Sequence, residues 1–139
     1  VSLICALGEA LNLIKQEGLE AIFKRHFIFA EAVRRAVLAL GLKIFGTPPS
    51  NALTAIVVPS EIEEKKLRKM MQEEFGVIVA GGQGELSGKI IRIAHLGWMD
   101  RIDIIGVVCA LELCLYRLGY KVELGTAAKA AQQVFAQNS

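Results

Sequence analysis

Gly81-Gly82-Gln83-Gly84-Glu85-Leu86-Ser87-Gly88-Lys89-Ile90-Ile91-Arg92-Ile93-Ala94-His95-Leu96-Gly97-Trp98-Met99-Asp100 is the stretch on which the reading of this chain turns. Four glycines precede an Ile-Ile-Arg-Ile-Ala run, and His-Leu-Gly-Trp follows it. β-Branched residues bounded by glycine have strand composition. Alternation then puts Ile91 and Ile93 on one face and Ile90, Arg92 and Ala94 on the other. A single guanidinium thus stands among apolar neighbours in mid-strand. Arginine is rarely buried without a partner, and its rigid fork of donors fits a carboxylate or phosphate bidentately. Three placements are open to it: an ion pair with an internal Asp or Glu, an exposed edge position, or a grip on an incoming acid. The glycines do not form a dinucleotide fingerprint, because they lead into a strand instead of following one and opening a helix. They read as a flexible loop beside the arginine.

Working outward, the 139 residues amount to one domain with one core. The 53% hydrophobic content is high for so small a domain, yet no run reaches the roughly 18 apolar residues of a membrane span. The excess apolar surface therefore meets another protein surface or an absent domain. A net charge of +2 from mixed signs gives no footprint for nucleic acid or anionic lipid. Cys5, Cys109 and Cys114 lie in helical apolar patterns without zinc spacing, and read as small buried hydrophobes of a reducing cytoplasm. The chain opens directly into an amphipathic pattern, with neither a signal-peptide order nor an initiator methionine, as a piece of something longer would.

Ser2 can cap a helix to about Gln16, apolar over much of its girth. Gly18 breaks it, and a second helix runs from Leu19 to Leu40 with Leu19, Ile22, Phe23, Phe27, Ala30, Val33, Val37 and Leu40 in one stripe. His26, on this helix, reads as a hydrogen-bonded histidine at the core's edge. Short strands are expected at Lys43–Phe45, Leu53–Val58 and Val77–Ala80. Between the last two, Ser60-Glu61-Ile62-Glu63 reads as a capping box for a helix to Phe75, with Glu61/Lys65 and Glu64/Arg68 pairs on a solvated face. Asp100 and Asp103 open a helix to Leu118, its stripe Ile102, Ile105, Cys109, Leu113 and Tyr116, with Glu112 unexplained at the edge. Thr126 caps a last helix to about Gln137. This is an α+β layout: a small, mostly antiparallel sheet with helices on one face, leaving the Arg92 face for function.

Residues 81–95, Gly-Gly-Gln-Gly-(x)3-Gly-Lys-Ile-Ile-Arg-Ile-Ala-His, continued by Leu96-Gly97, resemble the signature of the small C-terminal domain of class V aminotransferases. These are the pyridoxal-phosphate enzymes of the alanine–glyoxylate and serine–pyruvate aminotransferase group. The resemblance runs from Val1-Ser2-Leu3-Ile4 to Leu118-Gly119-Tyr120-Lys121-Val122. It implies the C-terminal domain of a fold-type I enzyme, with residues 1–17 a connector helix from a missing large domain and residues 18–139 the small domain. In that family the arginine of Arg-Ile-(Gly/Ala)-x-(Leu/Met)-Gly holds the substrate α-carboxylate. By motif position that is Arg92; Ala94 stands where many members have glycine. The family's glycine-rich loop lies near the active-site mouth, which nominates Gly82, Gln83, Gly84 and His95 as its companions. His95 has an alternative reading as a structural histidine bonded to the turn, and Trp98 is open between core and interface.

The resemblance further implies amino-group transfer between a small amino acid and a 2-oxo acid such as glyoxylate or pyruvate, in a cytoplasmic homodimer that meets neither nucleic acid nor membrane. The lysine that carries pyridoxal phosphate, the aspartate on its pyridine nitrogen and the grip on its phosphate belong to the large domain. Lys89 has no family counterpart as that lysine. These residues alone are therefore expected to be inactive and to hold no cofactor. Some cyanobacterial-type members of the group carry the label of a soluble hydrogenase small, or tritium-exchange, subunit. Three scattered cysteines do not make a nickel–iron or iron–sulfur site. The competing reading is a stand-alone α+β interaction module that binds a small acid through Arg92.

Overall fold

Apolar periodicity and glycine punctuation divide the chain into short elements, which a computed structural model describes over residues 1–138. They are α1 (Ser2–Glu17), α2 (Leu19–Ala39), β1 (Lys43–Ile44), β2 (Leu53–Val57), α3 (Glu64–Phe75), β3 (Ala80–Gly81), one 3-10 turn (Gly84–Leu86), β4 (Ile90–Ala94), α4 (Arg101–Arg117) and α5 (Thr126–Gln137). The strands form one antiparallel sheet in the order β1-β2-β4-β3. Thr54 and Ile56 of β2 and Ile91 and Ile93 of β4 are buried, whereas Leu53, Ala55, Val57, Arg92 and Ala94 are half-buried or exposed. The sheet has one covered face and one open face, as alternation requires. Val33, Val37, Leu67, Met71, Ile104, Leu111 and Leu115 pack from the helices into the same core as Ile56, Ile91 and Ile93.

Two helical stripes differ from the sequence reading. On α2 the buried residues include Ile22, Phe29, Ala32, Val33, Ala36 and Val37, while Leu19, Phe23 and Phe27 are exposed. On α4 they include Ile104, Val108, Leu111 and Leu115, while Ile102 and Tyr116 are exposed. Both helices carry apolar residues around most of their girth, so periodicity alone leaves the buried face undetermined. Contacts decide it: α2 packs against α5, α4 and the sheet, and small residues such as Ala32 and Ala36 let the partners approach. α1 has no buried residue, and Leu3, Ile4, Leu7, Leu11 and Ile14 stay exposed.

Several ends are also set differently. Ser2 is helical, and α1 has no side-chain cap. Ser60 does not cap α3: its Oγ meets Glu61 Oε2 at 3.3 Å. A turn closed by Ile62 N–H on the Pro59 carbonyl delays the helix to Glu64 while burying Ile62. Glu61 and Lys65 form no ion pair among the described residues; Glu63 pairs with Lys66 instead. Glu64 pairs with Arg68 as expected, but its side chain is 3% exposed, so this pair is not part of a solvated face. Only Ala80–Gly81 of the third strand is paired. Asp100 and Asp103 form a reciprocal capping box at α4.

Thr126 does not cap α5 either. The Glu112 carboxylate, 3% exposed, accepts from the Gly125 and Ala127 N–H groups at 2.9 Å each. Two donors at a helix start account for a buried glutamate on an apolar helix.

Candidate substrate-binding site

Arg92 lies at the middle of β4, opposite Ala55 of β2 and Ala80 of β3. Small neighbours on both sides leave its side chain room to lie across the sheet. It is half-buried, and its Nε donates to the Gly81 carbonyl at 3.1 Å. Among the described residues no carboxylate lies within ion-pair distance of it. The internal ion pair that the sequence left open is thus absent from this set. With Nε held by a carbonyl, the two terminal nitrogens form the fork that can meet a carboxylate end-on.

The guanidinium borders a cleft of about 820 Å³ whose walls include Ile78, Ala80, Trp98, Ile102 and Val107. Asp103 is the single acid in that lining, and its Oδ2 accepts from the Asp100 N–H at 2.8 Å. Ile78, Trp98 and Ile102 are 78%, 85% and 72% exposed. An arginine ringed by exposed apolar side chains can bind an acid whose remainder is shielded from water.

Gly81 and Gly82 are needed for close approach more than for flexibility. A Cβ on Gly81 would lie 2.5 Å from Glu64 Oε1. One on Gly82 would overlap the Leu86 carbonyl oxygen and lie 2.9 Å from Ile90 Cγ1. The 3-10 turn therefore folds directly onto β3 and β4 and buries Ile90, which alternation had placed on the open side. Gln83 and Gly84 are exposed on that turn, and neither they nor Gly82 line the Arg92 cleft.

His95 lies on the other side of the sheet from Arg92. It is fully buried, and its Nε2 meets Thr54 Oγ1 at 3.0 Å. Burial, reinforced by the positive charge of Arg34, pushes its pKa down to about 4, so the ring is neutral at pH 7. His26 is half-buried with its pKa lowered by burial and by Arg25; its Nε2 has no hydrogen-bond partner among the described residues, unlike the bonded histidine expected there. The cysteines are free: Cys5 is exposed, Cys109 half-buried and Cys114 buried, the last with a pKa raised to about 11 by burial. Missed in the sequence were the Gly81 carbonyl beside Arg92 and the role of Trp98 and Ile102 as cleft walls. Only the nearness of Trp98 to the strand hinted at the latter.

Fold and site together define an α+β domain that presents an arginine, without an ion-pair partner among the described residues, beside a mostly apolar cleft. No protein-family profile matches the chain. It is 40% identical over 138 residues to the soluble hydrogenase 42 kDa subunit of Anabaena cylindrica, covering 97% of this chain and 36% of that protein. It is 32% identical over 139 residues to the serine–glyoxylate aminotransferase of Methylorubrum extorquens, covering 98% and 35%. The ureidoglycine–glyoxylate aminotransferase of Bacillus subtilis superposes with a TM-score of 0.91 at 33% identity, over 94% of this chain and 35% of that one. The chain is homologous to class V aminotransferases and to soluble hydrogenase subunits, and it spans about a third of the length of the relatives it matches. No helix among the described residues is long and apolar enough to cross a membrane.

Proposed function

We propose that this chain is the C-terminal part of a pyridoxal-phosphate-dependent aminotransferase, contributing Arg92 as the group that binds the substrate carboxylate. The observation that carries this reading is the half-buried Arg92, held by the Gly81 carbonyl at the edge of an open cleft, with no carboxylate within ion-pair distance among the described residues. Fork binding fixes the orientation of a small amino acid or 2-oxo acid, so that its Cα is presented in one way. Glyoxylate and pyruvate are the acceptors that fit the relatives' names. Pyridoxal phosphate, when bound, supplies the electron sink for bonds to Cα. Among the described residues no lysine lines the Arg92 cleft, and Lys43 and Lys89 line a separate groove with Val57 and Tyr120.

The lysine that carries the cofactor then lies in a further domain of a longer, homodimeric and cytoplasmic protein, and the 139 residues alone are inactive. The exposed apolar face of α1 is the surface on which that domain would seat. Gly82, Gln83 and Gly84 adjoin the strand that carries Arg92 without lining its cleft, and His95 lies behind the sheet.

The test uses the complete reading frame that contains this chain. Its product is expected to show bound-cofactor absorbance with pyridoxal phosphate and to transfer amino groups to glyoxylate or pyruvate. Arg92→Lys keeps the charge and loses the fork, and is expected to raise KM for amino donor and 2-oxo acid alike. Removing one partner of such a buried charge pair costs on the order of 2–5 kcal/mol. Normal half-reactions in Arg92→Ala would refute the assignment.

A further inference from the structure

Arg25 is occupied by partners from three parts of the chain. Its Nε and Nη2 donate to Glu17 Oε1 and Oε2 at 2.6 and 2.8 Å, and its Nη1 donates to the Gly97 carbonyl at 2.9 Å. The guanidinium carbon also lies 5.9 Å from the centre of the Phe29 ring. Glu17 is the last residue of α1, separated from α2 by Gly18 at φ 85°. Gly97, at φ 89°, belongs to the turn between β4 and α4. One side chain therefore ties the end of α1 to that turn. The turn's ends are fixed by His95 N–H on the Ala52 carbonyl and Asp100 N–H on Asp103; its middle is held by Arg25 at Gly97.

The same turn carries Trp98 and Met99. Both residues line the hollow around Glu17 and Arg25, and both also line the Arg92 cleft. Trp98 is 85% exposed, so packing within this chain does little to hold it. Met99 packs against the core, so the hydrogen bond at Gly97 is a restraint chiefly on Trp98, the exposed part of this cleft wall.

We propose that Arg25 is a positioning residue for the Arg92 cleft. Through the Gly97 carbonyl it sets Trp98 in the cleft wall, and through Glu17 it couples that wall to the direction of α1. This role rests on the reading of Arg92 as a carboxylate-binding residue.

Two measurements on the product of the complete reading frame that contains this chain test it: amide hydrogen exchange over residues 96–100, and an NMR titration with pyruvate followed at the Arg92 Nε–H and Trp98 indole N–H. Wild type is expected to show saturable shifts at both. Losing a hydrogen bond from a charged donor, Arg25→Gln is expected to speed exchange over residues 96–100 by about tenfold or more and to weaken pyruvate binding by about two- to thirtyfold. Arg25→Lys keeps a charged donor for Gly97 and is expected to recover part of both effects. Glu17→Gln keeps the Gly97 bond and is expected to shift both readouts less, in the same direction; it decides the matter should Arg25→Gln not fold. Unchanged exchange, or faster exchange with unchanged affinity, overturns the positioning role and leaves the Arg92 reading standing. A wild type without saturable shifts overturns the carboxylate reading and the positioning role with it.

Discussion

Replacing Glu112 probes the buried charge with the most specific task in this fold. Its carboxylate takes two backbone donors at 2.9 Å each at the start of α5, and α5 packs along α2 and α4. A hydrogen bond to a charged group contributes about 1.5–3 kcal/mol. Glu112→Gln keeps the shape and one acceptor oxygen, but turns an amide NH₂ toward a backbone N–H. The expected destabilisation is about 2–3 kcal/mol. Glu112→Ala strands both donors and leaves a void, so its cost is expected to reach about 4 kcal/mol or more. For a chain of 139 residues, each kcal/mol lowers Tm by roughly 3–5 °C. The glutamine variant should therefore melt roughly 6–15 °C below wild type. Thermal melts by circular dichroism at pH 7, with urea titrations for the free energies, measure this. Variants that both lie within about 0.5 kcal/mol of wild type would show that the carboxylate does not hold α5.

Gly82→Ala is expected to destabilise by about 1–3 kcal/mol, because its Cβ meets the Leu86 backbone, which has no rotamer to move to; urea titration reads this directly. Acid should weaken the fold through His95. Its folded pKa of about 4 lies below the unfolded value near 6.5, so its contribution is fully present above pH 6.5 and is lost as pH falls toward 4. The loss amounts to about 3 kcal/mol; His95→Gln should flatten the pH dependence of Tm in that window, and an unflattened profile would contradict the burial argument. The chain on its own is expected to self-associate through the uncovered Leu3, Leu7, Leu11 and Ile14 face of α1. Light scattering that shows a clean monomer at high concentration would rule this out.

The sequence by itself determined the strand at Arg92, the two faces of that strand, the helix count and most helix boundaries. These are local properties: β-branched alternation, glycine at positive φ after a helix, and carboxylates at a helix start act within a few residues. The likeness to aminotransferases was legible because its most specific part, residues 81–97, is one contiguous motif within a resemblance that runs through nearly the whole chain. Tertiary structure decided which stripe of α2 and α4 turned inward, because both helices are apolar on more than one side and only their partners distinguish the faces. It decided that Glu64 is buried, although its i,i+4 partner Arg68 was legible in the sequence, and that Glu112 is buried on backbone donors that no local pattern shows. It also decided that Arg92 meets a carbonyl and, among the described residues, no acid, and that Arg25 reaches Gly97 across 72 residues of chain. A side chain's alternation follows from its own strand, whereas its partner is set by segments brought together only when the whole core closes.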